Sequence, residues 1–422
     1  MKSEKKIMMV STMFPYPIDN GKKVVISGIL EYLLDNFKEV NYIIIGEKDN
    51  EQQYLEQNPN IKVDYISQPS LLNKIFNLFW FTILSRKKTI QESMLYSRRI
   101  KNIISQKVNE YNPDILLFDT VRTGQYISEN YNCEKIIYLD DLFSIRYQKM
   151  IETINLYNVK FDALGNFKKF VPKIFRKLID NKFIQKQVLS LEKKLMEASE
   201  NRIVTKFDKN LLINFEEVKL LKFRTGQENI YEIKPVVDSV KITRNYLNSK
   251  TFVFLGALNI PHNSFSIKYF IYTQIEKILE LVPDFELLII GKNADEELLS
   301  LIKKYDCIKY MGYVEDLSNI LSSACAMLIP LMFGTGVKLK TIEALNMGIP
   351  IISTSYGTEG IKLENGINCI IEDDINNFPQ KIKDITDVNY NMFISQNAKI
   401  FFEEKYSKEK IYHKYNKIFN YR

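Results

Sequence analysis

The chain has 422 residues, 45% hydrophobic and 26% charged, which excludes a disordered or fibrous protein and, on length, calls for two domains rather than one core. The formal net charge of +7 allows an acidic partner (nucleic acid, a nucleotide or an anionic bilayer) without choosing among them. Four cysteines, scattered singly, and two distant histidines argue against a disulfide framework or a zinc site and fit a reducing cytosol.

The first element is KKIMMVS, residues 5–11, a buried strand whose apolar run is too short for a signal peptide. VVISGILEYLLDNF (24–37) reads as an amphipathic helix and VNYIIIG (40–46) as a second strand. PDILLFD (113–119) and EKIIYLD (134–140) are further buried runs. Strands alternating with helices predict a parallel sheet covered on both faces. No uninterrupted apolar run approaches a membrane span.

The series restarts after 233–250, IKPVVDSVKITRNYLNSK, the best boundary. TFVFLG (251–256), FELLIIG (285–291), IKYMGY (308–313), CAMLIPL (325–331) and IPIISTS (349–355) are strands with helices between them. Two stretches break the rhythm. Residues 71–84, LLNKIFNLFWFTIL, are nearly all apolar and precede the basic SRKK. Residues 160–194 hold ten basic side chains against three acidic ones, with Phe161, Phe167, Phe170, Phe175 and Phe183 interleaved. Either stretch could lie in a membrane interface; equally, the first could be a buried helix and the second a solvated hairpin.

The chemistry concentrates at 333–348, FGTGVKLKTIEALNMG. A strand ends, glycines turn the chain, and a helix is predicted from about Val337 to the stop at Gly348, with Pro350 beyond it. Gly334 and Gly336 let backbone approach a phosphate, and helix starts at strand ends bind anions. Lys340 and Glu343 are three apart and share a helix face, whereas Lys338 points away. That suits an amine on a diphosphate and a carboxylate on ribose hydroxyls; the plainer alternative is a surface salt bridge. At the other strand ends, Asp119 with Thr120 and Asp140 with Asp141 suit an acceptor hydroxyl or simple helix capping.

The segment GTGVKLKTIEALNMGIPIISTSYGTEGI resembles the donor-binding signature of retaining glycosyltransferase family 4, in particular a branch that makes exopolysaccharide and surface glycans. FPYPIDNGKKVVISGIL, YLDDLFSIRY, FLGALNIPHNSF and YVEDLSNILSSACAMLIPL are similar to other segments of that family. The resemblance implies an α/β protein of GT-B fold, two Rossmann-like doubly wound domains facing across a cleft. It implies an acceptor domain at 1–240, a donor domain at 241–400, and a C-terminal helix at 401–422 crossing back to the first domain.

The implied function is retaining, metal-independent transfer of a sugar from a nucleotide-diphosphate sugar to a glycan or lipid-linked acceptor. No cofactor beyond the donor substrate is implied. Glu343 matches the second glutamate of the family's pair; Thr335 stands at the first. The clamping arginine and lysine fall on Ala257 and His262, leaving Lys338 and Lys340 to compensate. Gly21 lies in the first domain's turn, Gly256 ends the first donor strand, and Gly357 sits in a turn placed to touch donor. Asp119, Asp141, Lys340 and Glu343 are the candidate catalytic side chains, although no general base is assigned. His413 reads as structural. A cytoplasmic enzyme at an anionic membrane surface is expected, without nucleic acid as partner. The alternatives are a non-catalytic binding or scaffold subunit and a nucleotide-sugar epimerase of the same fold.

Overall fold

The computed structural model describes every residue except Met1, Asp19, 49–51, 158–180, 238–243, 245–248, Glu315 and Arg422. The chain forms two units, Met1–Val236 with Ile411–Arg422, and Val237–Lys410.

Unit 1 holds strands β1 (Ile7–Ser11), β2 (Val40–Ile45), β3 (Ile61–Ile66), β4 (Ile115–Asp119), β5 (Glu134–Asp140), β6 (Lys209–Leu212) and β7 (Ile230–Glu232). They pair in parallel in the order β3-β2-β1-β4-β5-β6-β7. Unit 2 holds β8 (Thr251–Leu255), β9 (Glu286–Ile290), β10 (Ile308–Gly312), β11 (Ala326–Ile329), β12 (Ile351–Ser353) and β13 (Ile370–Ile371), also parallel, in the order β10-β9-β8-β11-β12-β13. All five residues of β1 are buried, because helices cover both sheet faces and leave no wet side to alternate toward. The two sheets thus share one winding, and each reverses direction once: between β1 and β4, and between β8 and β11. Ligands of such sheets settle outside the strands' carboxyl ends at that reversal.

The helices that follow β1 and β8 show why the chain turns where it does. Asn20 caps Gly21–Asn36 by accepting from the Lys23 N–H at 3.1 Å. Pro261 opens Pro261–Leu281, where its missing N–H costs nothing, and Ile267, Phe270, Ile271, Ile275 and Ile278 form the buried stripe. The C-terminal pattern is two helices rather than one: Val388–Tyr406 and Lys408–Ile418 are parted at Ser407, whose ψ of 143° is not helical. The end of the chain packs into unit 1, where Tyr415 donates to Lys234 O at 2.7 Å and Tyr32 to Asn416 Oδ1 at 2.7 Å.

The buried-helix expectation for 71–84 is overturned. Leu71–Asn77 is α-helical and Leu78–Leu84 is a π-helix, and together they hide their polar residues. Lys74, Asn77 and Thr82 are buried, while Leu72, Phe76, Phe79, Trp80, Ile83 and Leu84 are exposed. Of the basic stretch at 160–194, residues up to 180 lie outside the described residues. From there Asn181 caps the helix Lys182–Ile203, on which Phe183 is exposed.

Candidate functional site

In unit 2 the reversal between β8 and β11 gathers most of the residues picked from the sequence. The helix starts two residues later than expected, at Leu339, so Gly334–Gly336 form a loop ahead of its first turn. Gly336 has φ 75°, a left-handed conformation that a side chain would strain. The buried Lys338 amine reaches back and donates to the carbonyls of Thr335 and Gly336, both at 2.7 Å, fixing the loop. His262, in the first turn of Pro261–Leu281, lies against Gly334: a Cβ there would sit 3.7 Å from the imidazole Cγ. Thr341 Oγ1 donates to Gly357 O at 2.6 Å, tying in the turn after β12.

Lys340 points the other way, to the end of β8. Its amine donates to Leu255 O at 2.9 Å and to Asn263 Oδ1 at 3.0 Å. Asn263 in turn donates to Ala257 O at 3.0 Å. Gly256 is what lets Asn263 fit, since a Cβ at 256 would come within 2.8 Å of its amide. Burial pushes the Lys340 amine down to about 7; repulsion from Lys338 adds to this and attraction to Glu343 opposes it. Burial raises the Glu343 carboxyl, and Lys340 holds it back. The two interact through charge without the surface salt bridge that their spacing also allowed. An ammonium has three N–H groups, so the charged Lys340 has one beyond its two oxygen acceptors, and the amine also lies 4.9 Å from the centre of the Phe254 ring.

In unit 1 the reversal between β1 and β4 is built from ion pairs. Asp119, fully buried at the end of β4, accepts from Ser11 Oγ at 2.8 Å and pairs with Lys22 Nζ at 2.8 Å. It occupies the cap position of the short helix Thr120–Gly124 but makes no capping bond, so capping is not its role. Asp141 accepts from Arg146 Nε at 3.0 Å and also from Nη2. Asp140 accepts from Tyr138 at 2.8 Å; burial and then Asp141 raise its carboxyl, while Lys22 and Arg146 oppose them. Lys22 therefore links the ends of β4 and β5. Thr120 and Asp140 have φ of 65° and 73°, a conformation disfavoured for both and held where binding sites store strain.

Sequence reasoning brought Gly256, His262, Gly334, Thr335, Gly336, Lys338, Lys340, Glu343 and Gly357 to one place, and Gly21, Asp119 and Asp141 to the other. It missed Lys22, Ser11, Arg146 and Asn263. Lys22 was findable, since it follows Gly21 in the first turn after a switch-point strand. Asn263 was not, because an amide that orients a lysine has no spacing signature.

Two parallel-sheet α/β units with a helical C-terminus define the GT-B fold, and solved structures bear this out. The chain is similar to Anabaena Alr3699/HepE in complex with UDP (TM-score 0.66, 13% identity, 98% of this chain and 99% of that one). It is also similar to sucrose-phosphate synthase from Thermosynechococcus elongatus (TM-score 0.67, 14% identity, 99% and 98%). Residues 249–387, which carry the second switch point, match the family described as Glycosyl transferases group 1. Over 426 residues the chain is 24% identical to an uncharacterized 44.6 kDa protein in the cps region of Klebsiella pneumoniae, covering 96% of this chain and 98% of that protein.

Proposed function

We propose that the chain is a glycosyltransferase that binds a nucleotide-diphosphate sugar at the switch point of unit 2. It passes the sugar to a glycan or lipid-linked acceptor in surface-polysaccharide synthesis. The observation that carries the reading is Lys340: an amine sheltered enough to sit near neutrality, held by neutral oxygens at a strand end, inside the segment that matches Glycosyl transferases group 1. The UDP complex of Alr3699/HepE supports a nucleotide diphosphate as ligand, and the cps-region relative supports polysaccharide synthesis.

In this reading the spare N–H of Lys340 and the amides of the 334–338 loop take the diphosphate, and they stabilise the charge that builds there as the sugar leaves. Glu343 accepts from the ribose hydroxyls. Transfer is retaining and metal-independent, as the family-4 resemblance implies, and the leaving diphosphate receives the acceptor's proton. Asp119 and Asp141 already hold cations, so their role is to fix the wall that presents the acceptor hydroxyl. A lipid-linked acceptor would be met at the cytoplasmic face of a membrane.

Thr335, where the family carries an acid, favours a second reading, a subunit that binds nucleotide sugars without transferring them. Thermal shift with a panel of UDP-, GDP-, ADP- and CDP-sugars, with free nucleosides as controls, tests both. One nucleotide-sugar class should raise the melting temperature well above its nucleoside. No shift with any of them overturns the proposal. A shift with no nucleotide release in the presence of lipid-linked acceptor moves the weight to the second reading.

A further inference from the structure

Residues 71–84 invert the usual helix. Lys74 is 6% exposed and donates to Gln68 Oε1 at 2.9 Å; Asn77 donates to the carbonyls of Ser93 and Tyr96 at 3.1 and 2.8 Å; Thr82, 2% exposed, meets Ser93 Oγ at 2.7 Å. On the outer side Leu72 is 79% exposed, Phe76 62% and Trp80 48%, with Phe79, Ile83 and Leu84 beside them. The rings of Phe76 and Trp80 lie parallel, 6.4 Å apart. The wider π turn produces this sorting. Asn77 and Thr82 are five apart, too far for one α-turn face but within one turn of a π-helix, whose Ser85 N–H bonds Trp80 O at 2.9 Å. Monomeric proteins rarely leave so many large apolar side chains together in water, and such a patch marks a partner.

The charges around the patch identify that partner. No acidic residue occurs from Tyr65 to Gln91. Arg86 and Lys87 are exposed just after it in the chain, and Arg98 and Arg99 are exposed shortly after Tyr96, whose carbonyl Asn77 holds. Lys88 there lies within electrostatic reach of Lys101, Arg202 and Lys206, with Glu92 as the opposing acid. A second copy set on the patch about a two-fold axis would bring these like charges together. Fourteen residues of helix extend roughly 20 Å at most, short of the bilayer's apolar core, and among the described residues no helix is long and apolar enough to cross a membrane.

We infer that residues 71–84 are a membrane-seating element: Phe76, Phe79, Trp80, Ile83 and Leu84 enter the acyl boundary of an anionic bilayer while Arg86, Lys87, Arg98 and Arg99 contact its headgroups. Basic, aromatic-faced segments bind in this in-plane manner. The inference does not rest on the nucleotide-sugar reading.

Trp80 is the chain's sole tryptophan, so its fluorescence reports the element directly. The full-length protein is titrated with vesicles of phosphatidylcholine alone and of phosphatidylcholine mixed with phosphatidylglycerol. With the anionic vesicles, emission should shift to the blue, brominated acyl chains should quench it, and the protein should float with the lipid. Phe76→Gln with Phe79→Gln should abolish these effects. Arg86→Gln with Lys87→Gln should weaken partition on the order of tenfold. All four positions are on the surface, and an unchanged melting temperature and far-ultraviolet circular dichroism certify the fold of each variant. An emission maximum unmoved by anionic vesicles overturns the inference. So does a blue shift that grows with protein concentration without lipid, alongside dimers by light scattering, which would assign the face to a second copy.

Discussion

The two switch points share one strand order and place a lysine on the helix beside each, yet their charges end differently. Between β1 and β4, Lys22 meets Asp119, and Arg146 meets Asp141 close by. These cations meet carboxylates of the same unit, and the backbone beside them is held in the left-handed region at Thr120 and Asp140. Between β8 and β11, Lys340 rests on a carbonyl and an amide oxygen, and burial with a second lysine nearby drives its amine toward neutrality. Under the proposed function an anionic diphosphate would join those partners. The first lysine is paired with an acid; the second rests on neutral oxygens.

The comparison breaks most visibly at Lys22. Lys22→Met leaves Asp119 buried without its cation and should cost about 3–5 kcal/mol of stability, read as a lower urea midpoint at unchanged slope. Adding Asp119→Asn should restore much of that loss. A Lys22→Met protein as stable as the parent would mean that Lys22 does not offset the buried charge of Asp119. The matching change in unit 2 has another signature. Lys340→Met should weaken binding of a nucleotide diphosphate by about 1.5–3 kcal/mol, on the order of ten- to a hundredfold, while stability falls far less than for Lys22→Met. Calorimetric titration with UDP measures the first and denaturant unfolding the second.

Most of the fold could be read from the strands, because runs such as IMMVS, VNYIII and ILLFD, with one polar residue each, lack the alternation of a half-wet strand and fit a sheet covered on both faces. The pairing of Lys340 with Glu343 was likewise legible, helical spacing being enough to put them on one face. What stayed hidden depends on long-range contact. Lys22 acquires its meaning from Asp119, nearly a hundred residues away, and Asn263 from Lys340. The left-handed backbone at Thr120 and Asp140 leaves no mark in composition. At 71–84 the apolar pattern was plain and its direction was not: burial and exposure use the same residues, and only the π turn lines up Asn77 with Thr82.

The remaining test concerns protons and has the smallest effects. Burial, with Lys338 beside it, pushes the Lys340 amine down from the ordinary lysine value of 10.5 to about 7. Between those values the unfolded chain holds a proton that the folded chain has lost, so this group's contribution to stability improves as pH rises from 7 to 10.5. Binding runs the opposite way. A diphosphate favours the ammonium, so UDP affinity should fall as pH rises above 7, in total by no more than the roughly ten- to hundredfold lost in Lys340→Met, while uridine, which lacks the diphosphate, stays flat. Glu343 sharpens the point. Its carboxylate supports the charge on Lys340, so Glu343→Gln should move the midpoint of the UDP profile below 7 by a fraction of a unit. Loss of the ribose contact would lower affinity equally at every pH and leave that midpoint in place, so the midpoint isolates the electrostatic link between the two side chains. A midpoint unmoved in Glu343→Gln would confine Glu343 to the ribose and leave burial and Lys338 to set the amine.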